Sequence, residues 1–248
     1  MKKFLVLLTV AATAFIFTGC SSVEHQAVNT AVIPEPRGTN WVERHEGFVE
    51  QAQHDQIDLL FMGDSITDFW RRSGPRYGTN IWAEYYAPLH AADFGISGDR
   101  TENVIWRIDH GELDGLHPKV MVLMIGTNNS RTNSPGQIAK AIKVILDKTQ
   151  EKCPDTKILL LGVFPRNRGN DDAAQIEAPA KINDIISKFA DGNRIVYLNI
   201  NDKFLGLDGK VPANIMPDFL HPNEHGYQIW ADAMNPTLYQ MMGISGQK

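Results

Sequence analysis

Five short apolar runs stand out along the chain, at Ile57 to Met62, Ala91 to Ile96, Val120 to Ile125, Ile158 to Val163 and Ile195 to Ile200. Each is nearly continuous in hydrophobic character rather than alternating. Strands of that kind are buried on both faces, as in a parallel sheet lying between helices. Around them the apolar spacing lengthens to helical steps, over Trp41 to Gln53, Pro135 to Glu151, Ala174 to Ala190 and Asn223 to Met242. In the first of these, Trp41, His45, Phe48 and Ala52 recur at three- or four-residue intervals and should face the sheet. Strands alternating with helices predict a single three-layer α/β domain with a five-stranded parallel sheet, doubly wound and flavodoxin-like, with right-handed crossovers. No internal repeat or low-complexity stretch interrupts it.

The N-terminal pattern is different. Lys2 and Lys3 precede an apolar stretch from Phe4 to Phe17, shorter than the roughly 20 residues a bilayer-spanning helix needs and shaped like a signal peptide. Phe17-Thr18-Gly19-Cys20 resembles the lipobox of bacterial lipoproteins, in which the cysteine is diacylated and becomes the new N-terminus. The resemblance implies a lipoprotein signal peptide over 1–19 and a lipidated tether over 20–40, with the folded domain over 41–248. Pro34, Pro36 and Gly38, with little apolar periodicity, fit the tether. Ser21 after the cysteine implies the outer membrane of a bacterial cell envelope, reached through the lipid anchor.

Composition adds two exclusions. The formal net charge is -5, and loss of Lys2 and Lys3 would make the chain more acidic still, so nucleic acid is not an expected partner. Of the two cysteines, Cys153 alone is left once Cys20 is lipidated, so no intramolecular disulfide can form. Cys153 stands at the end of a helical pattern, in Glu151-Lys152-Cys153-Pro154, away from any strand terminus, and reads as structural.

The chemistry gathers at the ends of the apolar runs, where open α/β sheets keep their sites. Gly63-Asp64-Ser65-Ile66 puts a serine after the first run, and Gly126-Thr127-Asn128-Asn129 puts an amide after the third. Gly98 lies in the segment after the second, and Arg166, in Phe164-Pro165-Arg166, follows the fourth. Far downstream, Asp218-Phe219-Leu220-His221 supplies a carboxylate and an imidazole ahead of the last helix, whose first position should be Pro222. Each block alone is also what a turn or helix cap would look like. Arg166 reads first as an ordinary solvated arginine and otherwise as a substrate contact or the shield of a carboxylate at the rim, and Trp70 reads as core next to Arg71 and Arg72, which are close enough to the serine to shape its pocket.

Taken together the blocks resemble the SGNH, or GDSL-type, hydrolase family, named for its Ser, Gly, Asn and His. Trp41-Val42-Glu43-Arg44-His45, Phe94-Gly95-Ile96, Val104-Ile105-Trp106-Arg107 and Gly126-Thr127-Asn128-Asn129 extend the likeness to the catalytic subunits of intracellular platelet-activating factor acetylhydrolase. Asn129 replaces the commoner Asp of the wider family and agrees with that branch. The resemblance implies Ser65 as nucleophile, His221 as general base and Asp218 as its orienting acid. It implies an oxyanion hole made by the backbone N–H groups of Ser65 and Gly98 and the side chain of Asn128. Such chemistry needs no cofactor and no metal. His221-Pro222-Asn223-Glu224-His225 does match the zinc pattern H-x-x-E-H, but a residue before proline is biased out of the helix, so both histidines should not share one helical face.

The expected function is therefore that of a serine esterase. It would remove small acyl groups, acetyl foremost, from a carbohydrate or lipid alcohol at the envelope. A lysophospholipase or thioesterase of the same fold is the alternative, and so, from another class, is a catalytically silent binding module.

Overall fold

The computed structural model describes Met1 and residues 28–244, except Ser73, Pro75 and Arg76. The expected signal peptide, apart from Met1, and Cys20 lie outside the described residues. Strands β1 (Leu59–Gly63), β2 (Ala91–Gly95), β3 (Val120–Met124), β4 (Lys157–Leu161) and β5 (Ile195–Leu198) form one parallel sheet in the order β2-β1-β3-β4-β5. This is the flavodoxin-like order, and all five expected strands are present. Gly63 pairs in register with Gly95 on one side and Met124 on the other, so the carboxyl ends of β2, β1 and β3 are level.

The four expected helices are α1 (Thr39–His54), α5 (Pro135–Lys152), α6 (Ala173–Ile186) and α7 (Glu224–Met242); α2 (Ser65–Asp68), α3 (Thr79–Tyr85) and α4 (Thr101–Asp109) are shorter. Local signals explain the long ones. Ser134 caps α5 in a capping box with Gln137, with Pro135 at the first turn, and Asp172 does the same for α6 with Gln175. The pleat sends Leu60 and Met62 into a core shared with α1, α4, α5 and α6. Leu59 and Phe61 point the other way, into an aromatic core of Trp70, Trp82, Tyr86, Tyr227 and Trp230 built with α3 and α7. These are the outer layers of a three-layer domain.

Three expectations need correction. Residues 29–37 do not hang free as a tether. Ala31 is fully buried, its carbonyl accepts from Thr101 Oγ1 at 2.9 Å, and Asn133 donates to Thr30 Oγ1 at 2.9 Å. Glu35 N donates to Glu102 O, and Glu35 O accepts from the Asn103 side chain. The folded unit thus includes residues from Asn29 onward rather than only from Trp41, held by polar and small groups that leave no apolar period. Second, Pro222 is not the first residue of α7: Asn223 is its cap, accepting from Gly226 N, and helix begins at Glu224. Third, Trp41 and His45 turn toward Trp106 of α4, with ring centroids 5.2 and 5.1 Å away, while only Phe48 and Ala52 reach the sheet side.

Candidate active site

Ser65 opens α2 immediately beyond β1, and the close seat of that helix on the strand ends depends on glycine. A Cβ at Gly63 would lie 2.3 Å from Thr67 Oγ1, and one at Gly95 would lie 2.3 Å from the Asp68 backbone nitrogen. Neither fits. Asp64, buried, caps the helix by accepting from Ile66 N at 3.0 Å. Burial pushes its carboxyl up to about 7. The sequence alone gave no reason to notice that group.

The other partners come from the segment before α7. Ser65 Oγ lies 2.8 Å from His221 Nε2, and His221 Nδ1 lies 2.7 Å from Asp218 Oδ2. A carboxylate can only accept, so Nδ1 carries the proton and Nε2 keeps a lone pair toward the serine hydroxyl. Asp218 Oδ1 also accepts from the backbone N–H of His221 at 2.8 Å and of Leu220 at 3.2 Å. Burial acts to raise this carboxyl, but the bonds from the His221 side chain and backbone outweigh it and hold the pKa well below the usual carboxylate range. The turn is strained, with Phe219 at φ 59. Its carbonyl is tied down by Asn167 N at 3.0 Å. Phe69 packs against the imidazole with centroids 4.9 Å apart.

Gly98 and Asn128 follow β2 and β3, the strands on either side of β1, so the sheet order brings both beside Ser65. Asn128 Nδ2 donates to Asp99 O at 2.9 Å, which spends one amide hydrogen and leaves the second. Neither Ser65 N nor Gly98 N makes a hydrogen bond among the described residues. Gly98 has φ +83, and a Cβ there would stand 3.1 Å from Arg37 Nη2. Glycine is thus required by backbone conformation as well as by access to its N–H.

Sequence reasoning missed what holds this loop. Asp99, fully buried, accepts from Trp41 Nε1 at 2.7 Å and Arg37 Nη1 at 3.0 Å, and pairs with Arg107 Nε at 3.1 Å. Arg107, also fully buried, binds Glu112 at 2.7 Å, and Glu112 meets His45 at 2.9 Å. The Trp41 to His45 and Val104 to Arg107 blocks therefore form one network that anchors the turn carrying Gly98. Asn129 is structural too, accepting from Thr101 N and donating to Glu102.

Arg166 is not a solvated arginine. It is buried, donating to Asp171 through Nε and Nη2 and to Thr127 O through Nη1 at 2.9 Å, bracing the segment that carries Asn128. An acid five residues downstream was the available signal. Trp70 is core, as expected. His225 is exposed on α7, whereas both nitrogens of His221 are engaged by Ser65 and Asp218. Cys153 caps the end of α5, donates to Leu113 O, and burial pushes its thiol up to about 11, which leaves it unreactive at neutral pH.

A three-layer parallel sheet with a Ser, His, Asp relay at its carboxyl edge has the layout of an SGNH-type hydrolase. The chain belongs to the GDSL-like Lipase/Acylhydrolase family, whose model matches residues 61–229, and it is a hydrolase of carboxylic esters. It is 32% identical over 206 residues to platelet-activating factor acetylhydrolase IB subunit alpha2 of Rattus norvegicus, covering 82% of this chain and 85% of that one. Its fold matches a GDSL-like lipase of Bacteroides thetaiotaomicron with a TM-score of 0.64 at 18% identity, covering 79% and 97% of the two chains. An acetyl-xylooligosaccharide esterase from Geobacillus Stearmophilus has the same fold, with a TM-score of 0.56 at 19% identity over 78% and 97%.

Proposed function

We propose that this chain is a serine esterase that removes acetyl and similarly short acyl groups from carbohydrate alcohols at the bacterial cell envelope, to which Cys20 anchors it. The observation that carries the mechanism is the 2.8 Å contact of Ser65 Oγ with an imidazole whose other nitrogen is 2.7 Å from Asp218. Ser65 Oγ attacks the ester carbonyl as His221 Nε2 takes its proton; the same proton then goes to the departing alcohol, leaving an acyl-serine. Water, deprotonated by His221, cleaves that intermediate to the free acid. Asp218 keeps the imidazole in the useful tautomer and stabilises its cation. The backbone N–H groups of Ser65 and Gly98, with the free amide hydrogen of Asn128, receive the negative charge on the tetrahedral oxygen. Each such donor is typically worth about 3 to 4 kcal/mol.

Short acyl groups are supported by the acetylhydrolase name of the relative at 32% identity. A cavity of ≈ 230 Å³ lies on the Asp218 and His221 side of the triad, bounded by Phe69, Tyr77 and Pro217, and is not lined by Ser65 or the oxyanion donors. A sugar rather than a lipid alcohol is supported by a rim that is charged, with Arg71 and Arg72 exposed. Envelope anchoring rests on the Cys20 motif alone. For p-nitrophenyl esters, kcat/KM for acetate should exceed that for octanoate by at least about 100-fold, since each unaccommodated methylene loses about 10- to 200-fold. Preference for octanoate in monomeric solution would refute the short-acyl assignment and favour a lysophospholipase.

A further inference from the structure

Beside the triad, and separate from its cavity, runs a groove of ≈ 550 Å³ whose walls include Arg37, Arg44, Arg71 and Arg72 together with Asp68 and Asp93. Four arginines on one groove are unexpected in a chain of net charge -5. Their charges are unequally compensated. Arg44 is forked onto the Asp68 carboxylate, which also accepts from Ser97 N and Oγ, and Arg37 is paired with Asp99. Asp93 accepts from Gly95 N at 2.8 Å, and burial pushes it up to about 8, so it is uncharged at neutral pH. Arg71 and Arg72 have no carboxylate partner among the described residues. Instead, Arg72 lies 4.8 Å from the centre of the Phe69 ring and Arg71 6.0 Å from that of Trp82. Contact through the flat face of a guanidinium leaves its in-plane N–H donors available. The groove holds two surplus positive charges.

It also adjoins the site through Arg37 and Arg72. Arg37 Nη2 is the nearest neighbour of the Gly98 Cα on its Cβ side. At the other end, Phe69 contacts both Arg72 and the His221 ring, so one aromatic ring separates that guanidinium from the imidazole. The volume is within the range of small-ligand sites and suits one or two sugar rings.

We propose that this groove is a subsite for an anionic substituent, a carboxylate or a phosphate, on the sugar whose ester is cleaved, with Arg71 and Arg72 as its specificity-determining residues. The proposal rests on the esterase reading above. Paired guanidinium groups recognise such anions through forked, charge-assisted bonds. A lipid headgroup could supply the same anion, and Trp41, Phe48 and Ile96 also line the groove, so the lipid source is a separate arm of the test.

The test compares kcat/KM for mono-O-acetyl esters of methyl glucoside, methyl glucuronoside and methyl glucoside 6-phosphate. One or both anionic esters should be preferred over the neutral one by at least about 10-fold at low salt, the discrimination expected of charge-assisted contacts; the larger ratio identifies the anion. In the Arg71→Ala/Arg72→Ala enzyme that ratio should fall toward one, and Arg71→Lys/Arg72→Lys should restore part of it. Should the alanine enzyme not fold, the wild-type ratio must still fall as NaCl is raised to about 0.5 M, because both guanidinium groups are exposed and salt weakens exposed ion pairs. A ratio near one in the wild type, or one untouched by the alanine pair, refutes the subsite while p-nitrophenyl acetate is still cleaved. Stronger cleavage of an acetylated lysophosphatidic acid than of either sugar anion overturns the sugar assignment. Failure to cleave any ester refutes the esterase reading itself.

Discussion

Replacing Asp218 by asparagine isolates the orienting role of the carboxylate from the architecture of its turn. The backbone bonds from Leu220 and His221 both go to Oδ1, at 3.2 and 2.8 Å, and an amide oxygen can accept them unchanged. What changes is the atom facing His221 Nδ1, where Oδ2 now sits at 2.7 Å. An amide NH₂ there donates, so Nδ1 must become the acceptor and the proton moves to Nε2. The nitrogen 2.8 Å from Ser65 Oγ then has no lone pair with which to take the hydroxyl proton. In a fully buried triad this tautomer error costs about 10⁴ in kcat, or about 5.5 kcal/mol. The Asp218 side chain is 40% exposed, so water screens part of its interaction with the imidazolium, and a loss of about 10² to 10⁴ is expected. The assay is kcat and KM for p-nitrophenyl acetate at neutral pH, with thermal unfolding as the control for the turn. The loss should fall on kcat with KM little altered. An Asp218→Asn enzyme with an unchanged Tm and a kcat within about threefold of wild type would show that the carboxylate does not orient the base.

Burial of Asp93 makes stability depend on pH. The native state keeps a proton on Asp93 up to pH about 8, whereas the unfolded chain loses it near 3.8, so stability should decline as pH rises between those values and level off above. The Asp93 contribution is about 6 kcal/mol at most, and Asp93→Asn, which keeps the acceptor for Gly95 N, should remove it. Urea unfolding at pH 5 and pH 8 checks this, and an identical pH dependence in both proteins would refute it. At the N-terminus, Cys20→Ser should release the protein from membranes with its activity intact; equal palmitate labelling of variant and wild type would contradict the anchor. A chain beginning at Trp41 should, by contrast, lose about 3 kcal/mol of hydrogen bonding and about 6 to 12 °C in Tm against one beginning at Val28, because Arg37 and the Thr30 to Glu35 contacts go with it. Equal Tm values would return residues 29–37 to the status of a tether.

Sheet, long helices and relay were legible because each leaves a mark in one dimension. Buried strands such as Leu59 to Met62 and Val120 to Met124 are unbroken apolar runs, and α5 carries both its cap and several turns of periodicity. Ser65, Gly98, Asn128 and His221 sit in short blocks at strand ends or before a helix. The four residues of α2 and the nine of α4 are too few to show a period. Buried charges were illegible for a different reason. Arg107 and Arg166 each have an acid five residues on, Glu112 and Asp171, but nothing in the sequence marks either pair as buried, and Asp99 looks like a surface residue until Trp41 is brought to it by the fold. Residues 29–37 deceived in the same way, since a buried alanine and a series of backbone bonds carry no hydrophobic pattern.

The central claim, that Ser65 becomes acylated, is tested most directly by intact-mass and peptide mass spectrometry after mixing the enzyme with p-nitrophenyl acetate and quenching during turnover. One acetyl group should be found on the peptide bearing Ser65. Ser65→Ala should lack it, with kcat reduced by at least about 10³-fold and the fold unchanged. An acetyl group on another residue, or wild-type turnover by Ser65→Ala, would contradict the account.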